Sequence, residues 1–97
     1  MDALRKELVE IDVAEVVEPR ELQLLLMRSL DFPGWYGCNW NAFWDAITGL
    51  VEMPRRLRIR GWQLLVERLP DDARLMRECL EEMAGTYPED ASEVEYV

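Results

Sequence analysis

The chain contains no histidine. That removes the side chain most used as a general base near neutral pH, and the commonest metal ligand. It has only two cysteines, Cys38 and Cys79, far apart in sequence and outside any CxxC pair. A metal site or a disulfide framework is therefore not expected, and both are read as free thiols. Positive charge is also scarce, with eleven bases facing twenty acids for a formal net charge of −9. Such a balance repels phosphate backbones and anionic membranes, so direct contact with nucleic acid or membrane is not expected and a basic partner is favoured. No apolar run is long enough to cross a bilayer. The N-terminal stretch "MDALRKELVE" lacks the apolar segment of a secretion signal. Both absences point to the cytoplasm. Phosphate-loop, dinucleotide and nucleophile-elbow motifs are missing too, so the chain is read as a non-enzyme with no cofactor.

What is present suffices for one small domain over residues 1–97, with 49% of residues apolar and no internal repeat or linker. Leu8 to Val16 alternates apolar and acidic residues and predicts a first strand, with Val9, Ile11 and Val13 on one face. Pro19 opens a helix whose Leu22, Leu25, Leu26 and Leu30 recur at helical spacing. Pro33 then disfavours helix in the residue before it. Gly37 is expected to break the chain, and Asn39 to cap a second helix from about Trp40 to Leu50. Arg55 to Arg60, "RRLRIR", predicts a short strand. "GWQLLVERL" predicts a third helix starting near Gly61, and "DARLMRECLEEMA" a fourth, capped by Asp71 and stopped by Gly85. Its Arg74/Glu78 and Arg77/Glu81 pairs are spaced i,i+4, as on a solvated face. "SEVEYV" predicts the last strand, with Val94 and Tyr96 on one side and Val97 opposite. Strands separated by helices pair in parallel, so the expected fold is α/β: a small three-stranded parallel sheet packed with four helices.

The stretch "WYGCNWNAFWDAITGL", Trp35 to Leu50, carries three of the four tryptophans around a single acid, Asp45. At about 100° per residue, Trp40, Phe43, Ile47 and Val51 share one helix face, and are expected to pack on the core. Asn41, Asp45 and Thr48 share the opposite face. Trp44 lies at the edge between them, and Leu50 lies near the core stripe at the fraying end. Trp35, Tyr36 and Trp44 are expected to crowd the start and rim of the helix. A half-exposed aromatic rim beside a carboxylate suits protein recognition. Core packing for Trp44 and a plain solvated acid for Asp45 remain open on these residues alone.

The string "WYGCNWNAFWDAITGLVEMP" resembles the signature of the barstar family, intracellular inhibitors of the ribonuclease barnase. Tyr36, Gly37, Asn39, Ala42, Trp44, Asp45, Thr48 and Gly49 match it in identity and spacing, and the likeness extends over nearly the whole chain. "MREC" resembles the family's acidic position on the fourth helix. The resemblance implies a barstar-like sheet with four helices, and inhibition by occlusion. The second helix and the loop before it would plug a basic ribonuclease cleft, with acids standing in for RNA phosphates. Asp45 would be the central acid, because a guanidinium forks onto a carboxylate as it does onto phosphate. Trp35 would take the place of a family tyrosine, Trp44, Thr48 and Gly49 would line the contact, and Glu78 would add a second acid. Tyr36, Gly37, Cys38, Asn39, Asn41 and Leu50 complete the expected partner-binding set. Asn41 replaces a carboxylate, Cys38 an acid, Leu50 a tryptophan and Trp35 a tyrosine, which widens the target from barnase to a related ribonuclease or another nuclease toxin with a basic cleft. The implied assembly is a monomer forming a 1:1 complex. Two other readings stand beside it: a non-inhibitory binding module of the same fold, serving as an adaptor or as immunity protein to a non-ribonuclease toxin, and an enzyme using Asp45 with Glu78.

Overall fold

A computed structural model describes residues 5–97. The first four residues, part of the N-terminal stretch considered above, lie outside the described residues. The elements run β1 (Leu8–Asp12), α1 (Pro19–Ser29), α2 (Trp40–Asp45), a π turn (Ala46–Leu50), β2 (Arg56–Arg60), α3 (Trp62–Arg68), α4 (Pro70–Thr86) and β3 (Glu93–Tyr96). The three strands form one parallel sheet in the order β1-β2-β3, with Ile11 opposite Ile59 and Ile59 opposite Tyr96. The architecture is the expected α/β one: a three-stranded parallel sheet with four helices. Among the described residues no helix is long and apolar enough to cross a membrane.

The sheet has two unlike faces because β2 alternates. Leu57 and Ile59 point into the core with Ile11, Val13, Leu22, Leu26, Phe43, Ile47, Leu65 and Met76. The other face carries arginines. Arg58 reaches Glu10 on β1 at 2.6 Å and Glu95 on β3 at 3.3 Å, and Arg56 reaches the same Glu95 at 3.4 Å. This ladder of cross-strand charge pairs keeps an otherwise open sheet face hydrated.

Several boundaries differ from expectation, each for a local reason. β1 stops at Asp12, short of Val16, because the Asp12 carboxylate accepts the Ala14 backbone N–H at 2.9 Å and turns the chain. α1 starts as expected at Pro19, where Glu18 and Glu21 form a reciprocal capping box. α4 begins two residues earlier than predicted, with Pro70 as its first residue and Leu69 in place of Asp71 at the cap, leaving Leu69 as the whole joint with α3. It also runs through Gly85 to Thr86, with Tyr87 closing it. Gly85 adopts helical geometry and has open space around its missing side chain, so nothing there forces a stop. Gly61 is the glycine the fold requires: its φ is +75°, and a Cβ would sit 2.6 Å from the Ala14 Cβ.

The second helix departs most. Only Trp40–Asp45 is α-helical, and Ala46–Leu50 widens into a π turn closed by the Val51 N–H on the Ala46 carbonyl at 3.2 Å. The Thr48 hydroxyl donates to the Trp44 carbonyl at 2.6 Å, and Gly49 follows. Both choices weaken a regular α ladder at this point. Val51 consequently leaves the helix in an extended conformation, off the wheel position given to it above.

Candidate functional site

The loop before α2 is built from the inside out. Phe32, Tyr36 and Phe43 pack ring to ring, with Phe32 4.8 Å from Tyr36 and 5.9 Å from Phe43. Tyr36 is 6% exposed, so its side chain belongs to the core and not to the rim where it was expected. Its hydroxyl donates to the side-chain oxygen of Gln23 on α1 at 2.5 Å, and the Asn39 carbonyl lies 3.3 Å away. Gln23 is the buried polar side chain of the core. Burial, with smaller contributions from the Cys38 and Cys79 sulfurs, pushes the Tyr36 hydroxyl far above its ordinary pKa. The phenol therefore stays protonated and remains a donor.

The next residues shape the start of α2. Cys38, and not Gly37, takes the left-handed turn, with φ at 55°. An ordinary side chain in that region is uncommon and marks a tightly determined loop. A Cβ on Gly37 would come within 3.3 Å of the Ala42 Cβ, so the glycine lets the loop lie close on the helix. Asn39 caps α2 as expected, its side-chain oxygen accepting the Ala42 N–H at 2.7 Å.

Above this foundation the face opens. Trp35 is 73% exposed and is the most exposed large apolar side chain among the described residues. Asn41 and Asp45 are exposed on the outer side of α2, and Thr48 is half-buried beside them. Gly49 and Leu50 lie exposed at the end of the π turn, with Leu50 at 44%. Among the described residues Asp45 has no ion pair. The chain has no lysine or arginine between Arg28 and Arg55, so Asp45 projects from a base-free stretch.

α4 forms the flank of this face. Trp40, expected to pack on the core, is half-buried against its edge. Its Nε1 also donates to Asp72 on α4 at 3.0 Å, and the Cys79 thiol lies 3.9 Å from its carbonyl. Phe43 holds the core side of the helix, its ring edge-on to Trp40 at 5.2 Å. Trp44 is half-buried and tilts against Tyr87 at 6.4 Å. Helices α2 and α4 thus run side by side in the same direction. Glu78, the expected second acid, is exposed but engaged with Arg74 at 3.3 Å. Glu82, one turn on, has no ion pair among the described residues. Burial first, then Glu82 and Glu78, pushes the Cys79 thiol above its ordinary value. Cys38 and Cys79 are both free thiols, as expected. Of the expected site residues, Trp35, Asn41, Asp45, Gly49 and Leu50 are exposed, and Thr48 and Trp44 are half-buried. Glu78 sits on the neighbouring helix, and Gly37, Cys38 and Asn39 form the support. Tyr87 and Glu82, which flank this face on α4 and at its end, were not singled out from the sequence. Finding Tyr87 required α4 to continue past Gly85, the residue that looked like its stop.

Comparison with known proteins gives two findings. Residues 6–97 match the family described as Barstar (barnase inhibitor). A protein of Bacillus subtilis (strain 168), YrdF, whose name describes a candidate ribonuclease inhibitor, is 42% identical over 38 residues. That similarity spans 39% of this chain and 42% of the Bacillus protein.

Proposed function

The chain belongs to the barstar (barnase inhibitor) family, and we propose that it inhibits a barnase-like or related microbial ribonuclease by plugging its basic active-site cleft. The observation that carries this reading is Asp45: an exposed carboxylate without an ion pair among the described residues, in a stretch free of bases, on a helix seated by Phe43 and Asn39. A cleft built to hold phosphate presents guanidinium and other cationic groups, and a fixed carboxylate flanked by aromatics satisfies the same donors. Trp35 and Leu50 supply apolar contact at the two ends, and Asn41 and Thr48 supply hydrogen bonding between them. Trp44 backs Asp45 and fixes the helix edge. The protein's role is occlusion and not chemistry. The reading carries with it a single domain, a 1:1 complex, a cytoplasmic site of action and no contact with RNA itself.

Asn41 favours a second reading. An amide where the family carries a carboxylate lowers the charge of the docking face, which suits a binding module or immunity protein for a less basic toxin. Titration of the chain into barnase and other small basic microbial ribonucleases, with RNA hydrolysis as the readout, separates the two. Inhibition should be stoichiometric with at least one of these enzymes. Asp45→Ala should weaken it by ~30-fold or more, the effect of losing a charged anchor worth ~2 kcal/mol. Undiminished inhibition by Asp45→Ala would remove Asp45 from the site, and no inhibition of any ribonuclease would favour the second reading.

A further inference from the structure

The seam between α2 and α4 ends in a pair of aromatic rings, and the outer one is unassigned. Tyr87 lies 6.4 Å from Trp44 and keeps 46% of its surface exposed. Its hydroxyl has no partner among the described residues. Its backbone, by contrast, is tied down on every side. The Tyr87 N–H donates to the Met83 carbonyl at 2.7 Å, and its carbonyl accepts the Asp90 and Ala91 N–H groups at 3.0 Å. The turn that follows is clamped by the Arg5 guanidinium, which donates to the carbonyls of Glu89, Asp90 and Ala91. Ser92 then donates its hydroxyl to the Pro54 carbonyl at 2.6 Å. An exposed tyrosine on a pre-ordered turn loses little freedom when something binds it, which is the economy that makes such residues anchors.

We propose that Tyr87 is a partner-contacting, specificity-determining residue, extending the docking face across the end of α4 and receiving an arginine or lysine side chain of the basic ribonuclease on its exposed ring. This rests on the docking reading given above. Three features select that occupant. The ring continues the surface of Trp44, next in sequence to Asp45, so a partner seated on Asp45 reaches it. A cation over a tyrosine face is attracted by the ring; the chain uses the same geometry internally, where Arg77 lies 4.6 Å over the Tyr96 ring. The acid on the adjoining turn, Glu82, has no cation of its own among the described residues, so a basic side chain arriving there meets opposite charge.

The test uses the full chain with Tyr87→Ala, Tyr87→Arg and Asp45→Ala. The probe is whichever of barnase and other small basic microbial ribonucleases the native chain inhibits most tightly. Dissociation constants and both rate constants are measured, together with thermal midpoints and solution size. Tyr87→Ala should raise Kd by roughly tenfold through faster dissociation. Tyr87→Arg, which keeps a long side chain but repels a basic partner, should raise Kd further and slow association, with an unchanged thermal midpoint. Binding within twofold of native for both Tyr87 variants, while Asp45→Ala is weakened, would overturn this inference and leave the docking reading standing. Failure of the native chain to inhibit any of the nucleases would overturn both. A native dimer abolished by Tyr87→Arg would assign the ring to a second copy of the chain and overturn the proposal.

Discussion

Replacing Tyr36 by phenylalanine isolates one interaction that joins the core to the loop before α2. The ring stays, so its packing on Phe32 at 4.8 Å is kept and no cavity opens. What goes is the 2.5 Å hydrogen bond to Gln23, and Gln23 is only 3% exposed. Its side-chain oxygen is then left without its donor and away from water. The cost of removing one member of a buried pair is about 1–3 kcal/mol, larger than the net value of an ordinary hydrogen bond. For a chain of this size that corresponds to a fall of about 5–20 °C in thermal midpoint. Urea unfolding should show the loss as a lower midpoint with an unchanged m-value. Tyr36→Phe combined with Gln23→Leu should recover part of the loss, because no buried polar atom is then stranded. A loss below ~0.5 kcal/mol, or strict additivity of the two substitutions, would refute this account of how the loop is anchored.

Alkaline pH should destabilise the fold. Burial raises Cys79 above its ordinary 9.0, Tyr96 from 10.0 to about 12, and Tyr36 further still. Each group binds its proton more tightly folded than unfolded, so its contribution is complete below the unfolded pKa and is lost as pH climbs from about 9 through 12. Unfolding free energy measured across that range should fall steadily, and a flat profile would contradict the burial of these groups. Asn41→Asp restores a charge to the exposed face of α2. It should speed association with the inhibited ribonuclease at low salt, with the gain fading as ionic strength rises; a salt-independent effect would place Asn41 off the contact. Gly61→Ala forces a Cβ to within 2.6 Å of Ala14 at a φ of +75°. It should cost at least ~2 kcal/mol in chemical denaturation, and a neutral result would show that the β1–α1 turn yields easily.

Most of the fold was legible because its signals are local. Leu57 and Ile59 alternate with arginines, Asn39 has the chemistry of a cap, and Pro19 sits where a helix can begin. The misses come from interactions between distant residues. The wheel drawn for α2 assumed one period to its end, but the Thr48 hydroxyl and Gly49 divert the ladder into a π turn. Tyr36 looked like a rim residue beside Trp35, but the Phe32 ring and Gln23, thirteen residues earlier, hold it inside. Helical periodicity pointed Trp40 inward without saying which element lies there; that element is α4. Asp45 was legible as an outward acid. Its lack of an ion pair among the described residues was not, since pairing is a property of the assembled surface.

The arginine ladder on the open sheet face bears on rotation as well as on hydration. Arg58 is spent between Glu10 and Glu95, so that side of the molecule is close to electrically silent at short range. Asp45, by contrast, is exposed and without an ion pair among the described residues, in a stretch of chain with no base between Arg28 and Arg55. An uneven charge distribution has a dipole, and a strongly basic partner, as proposed above, would exert a torque on it before the surfaces meet. On the proposed function, that torque would turn the molecule while it is still diffusing, presenting α2 and swinging the sheet away. Cutting the ladder, by neutralising the arginines of β2, would leave Glu10 and Glu95 exposed as a second negative pole and give the partner a wrong face to approach.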